Sequence, residues 1–113
     1  YDVPHGAGLA CLAPAWMEFV ARRNPDKIWR FCINVMSVNP VGLDTDKVIA
    51  EGITMLRDFY HDLGLTTSLT ELVGQKPDID LLVKNLEKNI GKTIGAYVAL
   101  DMNDCREIYE LAL

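Results

Sequence analysis

This sequence spends only two histidines and three cysteines on its 113 residues, and that scarcity removes several kinds of chemistry at once. A thiolate zinc site needs cysteines in close pairs of the C-x-x-C kind. Cys11, Cys32 and Cys105 are far apart and odd in number, so neither that site nor a disulfide scaffold is expected. Reduced thiols in a cytoplasmic protein are the simpler expectation, with each cysteine acting as a small hydrophobe of no chemical role.

An excess of positive charge is missing too. Lys and Arg number 11 against 16 Asp and Glu, a net charge of −5, and no basic cluster with interleaved aromatics occurs. Nucleic acid and anionic membrane surfaces both reward a basic face, so neither is expected as a partner. Long apolar runs are absent as well. With His counted as neutral, the longest uncharged stretch runs from Val3 to Met17 and is interrupted by Pro4 and Pro14. A membrane span needs roughly 18 or more apolar residues, and a signal peptide needs a basic region ahead of its apolar run. There is no Met at residue 1, so the natural start is expected upstream. Internal repeats, low-complexity linkers and alternating patterns strong enough to build a sheet are also lacking.

What the sequence does have is helical periodicity with its punctuation in place. Half of the residues are apolar and 24% are charged, which suits one compact domain. A first helix is predicted from about His5 to Arg22, with Pro14 as a kink or break. Asn24-Pro25-Asp26 restarts the chain, with Asn as N-cap and Pro at the first helical position. The helix that follows, to about Val38, is apolar nearly all round and expects burial. Asn39-Pro40-Val41-Gly42 breaks it.

The third helix starts at Asp44 or Thr45 and ends before Gly64. Its stripe is Val48, Ile49, Ile53, Leu56, Phe59, Tyr60 and Leu63, and Gly52 inside it costs about 1 kcal/mol relative to Ala. Ser68 and Glu71 have capping-box spacing for a short helix. A fifth helix runs from near Pro77 to Asn89, with Ile79, Leu82, Val83 and Leu86 inward. The stretch from Ile90 to Leu100 fits neither pattern cleanly. Asp101 then caps a last helix with Cys105, Ile108 and Leu111 inward. The fold class expected is all-α, with about five or six helices.

Few residues are candidates for chemistry. His61, between Tyr60 and Asp62 near a helix end, reads as a solvated residue beside acids or the helix terminus. His5 has less ordinary neighbours. Pro4 fixes the chain before it, and Gly6 and Gly8 remove side chains after it, so the imidazole projects while the backbone approaches a ligand or another segment closely. One His cannot make a metal site. Asp2 is either a second oxygen ligand or a helix cap. Gly6-Ala7-Gly8-Leu9-Ala10-Cys11 superficially matches a dinucleotide fingerprint, but no strand precedes it and Cys11 holds the third glycine position. Trp16 and Trp29 lie within apolar helical faces and are assigned to the core.

Tyr1-Asp2-Val3-Pro4-His5-Gly6-Ala7-Gly8-Leu9-Ala10, followed by Pro14-Ala15-Trp16-Met17, closely resembles the iron-containing alcohol dehydrogenases, and within them the NAD(P)H-dependent butanol dehydrogenase branch. Asn34-Val35-Met36, the Phe59-Tyr60 to Leu63-Gly64-Leu65 helix end, Leu69-Thr70-Glu71-Leu72, and Leu100-Asp101 with Ile108 extend the likeness over essentially the whole chain. The resemblance implies that residues 1–113 are the C-terminal helical, metal-side domain of a two-part enzyme. An N-terminal domain that binds the nicotinamide cofactor would lie upstream. It further implies a divalent metal, iron or alternatively zinc, held by an Asp and three His in the cleft between the domains. His5 matches the last of those histidines, and the other ligands belong upstream.

The implied reaction is reversible hydride transfer between a small primary alcohol and its aldehyde. No catalytic residue and no assignable cofactor-binding residue falls within the chain, which by itself is expected to be inactive. A homodimer is expected where apolar faces lack their partner domain. Two other readings stay open: an autonomous helical protein-interaction domain, and a zinc-using relative of the glycerol dehydrogenase or dehydroquinate synthase kind.

Overall fold

A computed structural model describes residues 3–91, 93–95 and 97–113. Its helices are α1 (His5–Ala21), α2 (Asp26–Asn34), α3 (Thr45–Asp62), α4 (Leu69–Val73), α5 (Ile79–Ile90) and α6 (Met102–Leu111). Short strands β1 (Thr93–Ile94) and β2 (Leu100–Asp101) pair antiparallel, Thr93 opposite Asp101 and Ile94 opposite Leu100. The all-α expectation therefore holds, with a two-residue ladder in the stretch whose pattern fitted neither helix nor strand. Lys92 and Ala96 of that stretch, like Tyr1 and Asp2 of the opening motif, lie outside the described residues.

Most helices begin where a short polar side chain meets an orphan amide of the first turn. Asp44 accepts a hydrogen bond from the Lys47 amide at 2.9 Å, Ser68 from Glu71 at 3.3 Å, and Asp78 from Leu81 at 3.2 Å. Asp101 accepts from the Asp104 amide at 2.9 Å while the Asp104 carboxylate accepts from the Asp101 amide at 3.0 Å. That reciprocal pair is a capping box with Asp in the position usually held by Glu. Gly74 closes α4 at a φ of 86°, a left-handed conformation that favours glycine.

α1 and α2 are different: both begin on a proline with no side-chain cap. Asn24 does not cap α2. Pro25 holds that position instead, and the Asn24 side chain accepts only a long bond from the Asp26 amide, at 3.5 Å.

α1 lies between α3 and α6, with α2 against α3 and α5 against α6. The core along α1 is Cys11, Ala15, Phe19 and Val20. It meets Ile28 and Cys32 of α2, Val48, Ile49 and Ile53 of α3, and Cys105 and Ile108 of α6. Pro14 is buried inside α1, which runs through it as one helix and does not break there.

α2 is shorter than its apolar run predicts. It stops at Asn34, and Ser37 adopts a φ of 61°, which turns the chain out of the helix. Only Ile28 and Cys32 of α2 are buried, and Val35 just beyond it is 64% exposed. Among the described residues α2 packs mainly on α3, through its Ile28 and Cys32 face. In α3, Val48 to Leu56 are inward but Phe59, like Leu63 beyond the helix, is more than half exposed.

Candidate functional site

The site begins at the first residue of α1. Pro4 sits in extended backbone at φ −58° and ψ 139°, and the helix opens at His5, whose side chain is exposed and makes no hydrogen bond among the described residues. At about 3.6 residues per turn, His5, Leu9, Ala13 and Trp16 fall on one face of α1. That face is not the buried one. Cys11, Ala15 and Phe19 point to the core, whereas Leu9 is 47% exposed and Leu12, Ala13 and Trp16 are half-buried.

The exposed face of α1 forms one wall of an open groove of about 530 Å³. α1 contributes Leu9, Leu12, Ala13 and Trp16 to it. Leu86 of α5 and Cys105, Ile108 and Tyr109 of α6 face them, and Gly95 and Leu100 complete the lining. Burial pushes the Tyr109 phenol up from its ordinary range, and the Cys105 thiol is raised by burial and then by the nearby Asp104 and Asp101 charges. Both groups are therefore neutral near pH 7, and the lining carries no charge.

The rest of the chain fixes α1 in place. Arg23, just past its C-terminal end, grips Asp104 of α6 through two nitrogens, at 2.8 and 2.5 Å. This fork holds the Asp104 carboxyl below the usual carboxylate range against the opposing pull of desolvation. Glu18 of α1 pairs with Arg57 of α3 at 3.2 Å. Tyr97 donates its hydroxyl to the Asn24 carbonyl, accepts from the Lys27 amide at 3.1 Å, and has its ring 6.5 Å from that of Trp16.

No other candidate among the described residues bonds to His5. Gly6 to Cys11 are turns of α1 itself, so the glycine pattern there is helical and not a phosphate loop. His61, at the end of α3, is exposed, and its Nε2 lies 3.0 Å from the Thr67 hydroxyl rather than against an acid. Cys11, Cys32 and Cys105 are buried free thiols. Asp2, the possible oxygen ligand, lies outside the described residues. Trp16, assigned to the core from its periodicity, is only half-buried and lines the groove.

No local motif marks the groove in the sequence. Its signal was the helical phase of Leu9, Leu12, Ala13 and Trp16 with His5.

A metal centre requires donors to converge. Among the described residues, no three His, Cys, Asp or Glu side chains come together in a way that would hold a metal ion. One projecting imidazole suits one coordination position and no more, so these residues do not build a metal centre alone. No helix among them is long and apolar enough to cross a membrane.

Residues 1–113 match the Fe-containing alcohol dehydrogenase family, C-terminal. The chain is 32% identical to NADH-dependent butanol dehydrogenase A of Clostridium acetobutylicum over 97% of its own length and 28% of that protein. It is 38% identical to the probable NADH-dependent butanol dehydrogenase 2 of Bacillus subtilis, covering all of this chain and 29% of that protein. The crystal structure of NADH-dependent butanol dehydrogenase A from Thermotoga maritima superposes with a TM-score of 0.85 at 32% identity. That match covers 99% of this chain and 29% of the other. The chain thus spans under a third of the length of the relatives it matches.

Proposed function

The chain belongs to the Fe-containing alcohol dehydrogenase family, and on that premise we propose that it forms the C-terminal, metal-side part of an NAD(P)(H)-dependent alcohol dehydrogenase. The proposed substrates are small primary alcohols of the butanol kind and the corresponding aldehydes, in keeping with the names its relatives carry. His5 is the observation that carries this reading. It is an exposed imidazole with no hydrogen-bond partner among the described residues, held at the start of a helix that is anchored at its other end.

In this reading His5 supplies one metal ligand, and an Asp and two further His come from the polypeptide upstream. Iron is the expected ion, and zinc suits the same nitrogen and oxygen donors. When bound, the metal supplies Lewis acidity at the substrate oxygen.

The chain's own residues do the positioning. The Arg23–Asp104 fork and the Glu18–Arg57 pair fix α1 against α6 and α3, and so fix where the His5 imidazole projects. Residues 1–113 act as one domain and contribute no group that exchanges a proton or hydride with substrate. The cofactor is bound by the upstream domain, the setting is the cytoplasm, and residues 1–113 form a homodimer where their apolar faces lack that domain.

Turnover tests this directly. The polypeptide expressed together with its upstream coding region should reduce NAD(P) with butanol, and residues 1–113 alone should not. Turnover by residues 1–113 alone, or none by the longer polypeptide loaded with iron or zinc, would count against it.

A further inference from the structure

α1 is one helix held unevenly along its length. Pro14 has no amide to give the Ala10 carbonyl, so the hydrogen-bond ladder lacks a rung between residues 5–13 and residues 15–21. Beyond Pro14, Ala15, Phe19 and Val20 are buried. Long-range ties hold that end and the residues just past it: Glu18 with Arg57, the Arg23–Asp104 fork, and the Asn24 carbonyl bonded by the Tyr97 hydroxyl. Ahead of Pro14 the buried side chains among the described residues are those of Ala10 and Cys11, both small. One side-chain hydrogen bond leaves that half among the described residues, from the Cys11 thiol to the Thr66 carbonyl at 3.5 Å, and a thiol is a weak donor.

The first half is also a weak helix in its own right. Pro4 supplies no side-chain cap, no acidic residue stands in the first turn, and Gly6 and Gly8 fall within the opening turns. Gly is the poorest helix former after Pro. Neither glycine has a positive φ, and a Cβ at either would meet nothing within 4 Å. Backbone shape and packing among the described residues therefore call for neither.

His5 is the outermost residue of this half, exposed and without a hydrogen bond among the described residues. We propose that residues 5–13 open and close as a unit separate from the rest of α1, with Pro14 as the boundary, and that metal captured by His5 holds the unit closed. This rests on the reading of His5 as a metal ligand. The ties beyond Pro14 set the direction in which His5 projects while its turns are wound. How long they stay wound depends on the first half itself, whose few buried contacts mark a segment of low local stability. A ligand that binds only the wound form shifts the balance towards it. The coupling is reciprocal: winding the half in advance tightens metal binding, because a larger fraction of the protein is ready to bind.

Amide hydrogen exchange tests this in the polypeptide that carries its upstream region. Mass spectrometry on fine peptides separates amides 9–13 from amides 17–21, in chelated and in zinc-loaded samples. Without metal, amides 9–13 should be protected about tenfold less than amides 17–21, or lower still. Zinc should slow amides 9–13 by about tenfold or more and leave amides 17–21 within about twofold. Pro14→Ala returns the missing donor, and Gly8→Ala strengthens the helix where a Cβ has space. Each should slow exchange at 9–13 in the metal-free protein and tighten zinc binding in a competition titration.

Equal protection of the two halves without metal overturns the proposal, and so does zinc that slows both halves alike. So do folded Pro14→Ala and Gly8→Ala proteins that exchange at 9–13 as the parent does. The two readings fail separately. A polypeptide that binds no zinc overturns the metal coupling together with the ligand role of His5. Zinc that is bound through His5, as its loss in His5→Ala would establish, with both halves equally protected throughout, overturns the proposal and leaves the ligand role standing.

Discussion

A Cβ placed on Gly52 would lie 2.2 Å from the Sγ of Cys32 and 2.5 Å from its Cβ, so α3 and α2 meet with no room for a single methyl group. Both residues are buried, and the Cys32 thiol donates to the Ile49 carbonyl at 3.8 Å. Gly52 is therefore the contact that lets α2 lie on α3, and not merely a weak point in a helix. Gly52→Ala gains about 1 kcal/mol of helix propensity, but overpacking of a tight core costs about 1–3 kcal/mol. With contacts this short the packing cost wins. The variant should unfold at lower urea, and adding Cys32→Ala should recover part of the loss, because it removes the Sγ and leaves the Cβ.

The Arg23–Asp104 fork should show in the pH dependence of stability. Asp104 is buried, accepts both Arg23 nitrogens, and completes the cap of α6. Its folded pKa is lowered, chiefly by the Arg23 hydrogen bonds, so its contribution is complete above the ordinary carboxylate range. It is lost as pH falls through the lowered folded value. Asp104→Asn should therefore cost about 1–2 kcal/mol at neutral pH, a figure held down by the solvent around the Arg23 partner. Urea titrations of both proteins should converge as the medium is taken below the ordinary carboxylate range.

The open apolar groove bears on association of residues 1–113. Residues 1–113 alone leave Leu9 half-exposed beside Trp16, and apolar surface of that kind drives self-association. Sedimentation of this chain should show mass rising with concentration, and Leu9→Glu should shift it towards monomer. A sharply monomeric parent over a wide concentration range would contradict this.

Much of the helix layout was legible because its signals are local. Asp44, Ser68 and Asp101 mark helix starts by a side-chain bond to an amide only a few residues on, and each start lies where the sequence puts it. The α3 stripe was legible down to Leu56 for the same reason. What failed depended on distant partners. Nothing local says that α2 stops at Asn34, since its apolar residues continue to Val38, and it is Ser37 that turns the chain away. Trp16 looked like core because its helix is apolar, yet whether a helix face is covered depends on what packs on it. That His5 projects at a helix start was legible from Pro4 and the glycines around it. The groove beside it was not, because Leu86, Ile108 and Tyr109 reach it only through the fold.

The metal itself gives the most direct measurement. The polypeptide with its upstream region is purified without oxygen, loaded with ferrous iron, desalted, and assayed for bound metal by mass spectrometry beside its His5→Ala variant. His5 is exposed, so its removal should change stability by no more than about 0.5 kcal/mol, and matched urea curves verify that. About one ion per chain is expected for the parent and little retained by His5→Ala. A folded His5→Ala protein that keeps its full complement of metal would contradict it.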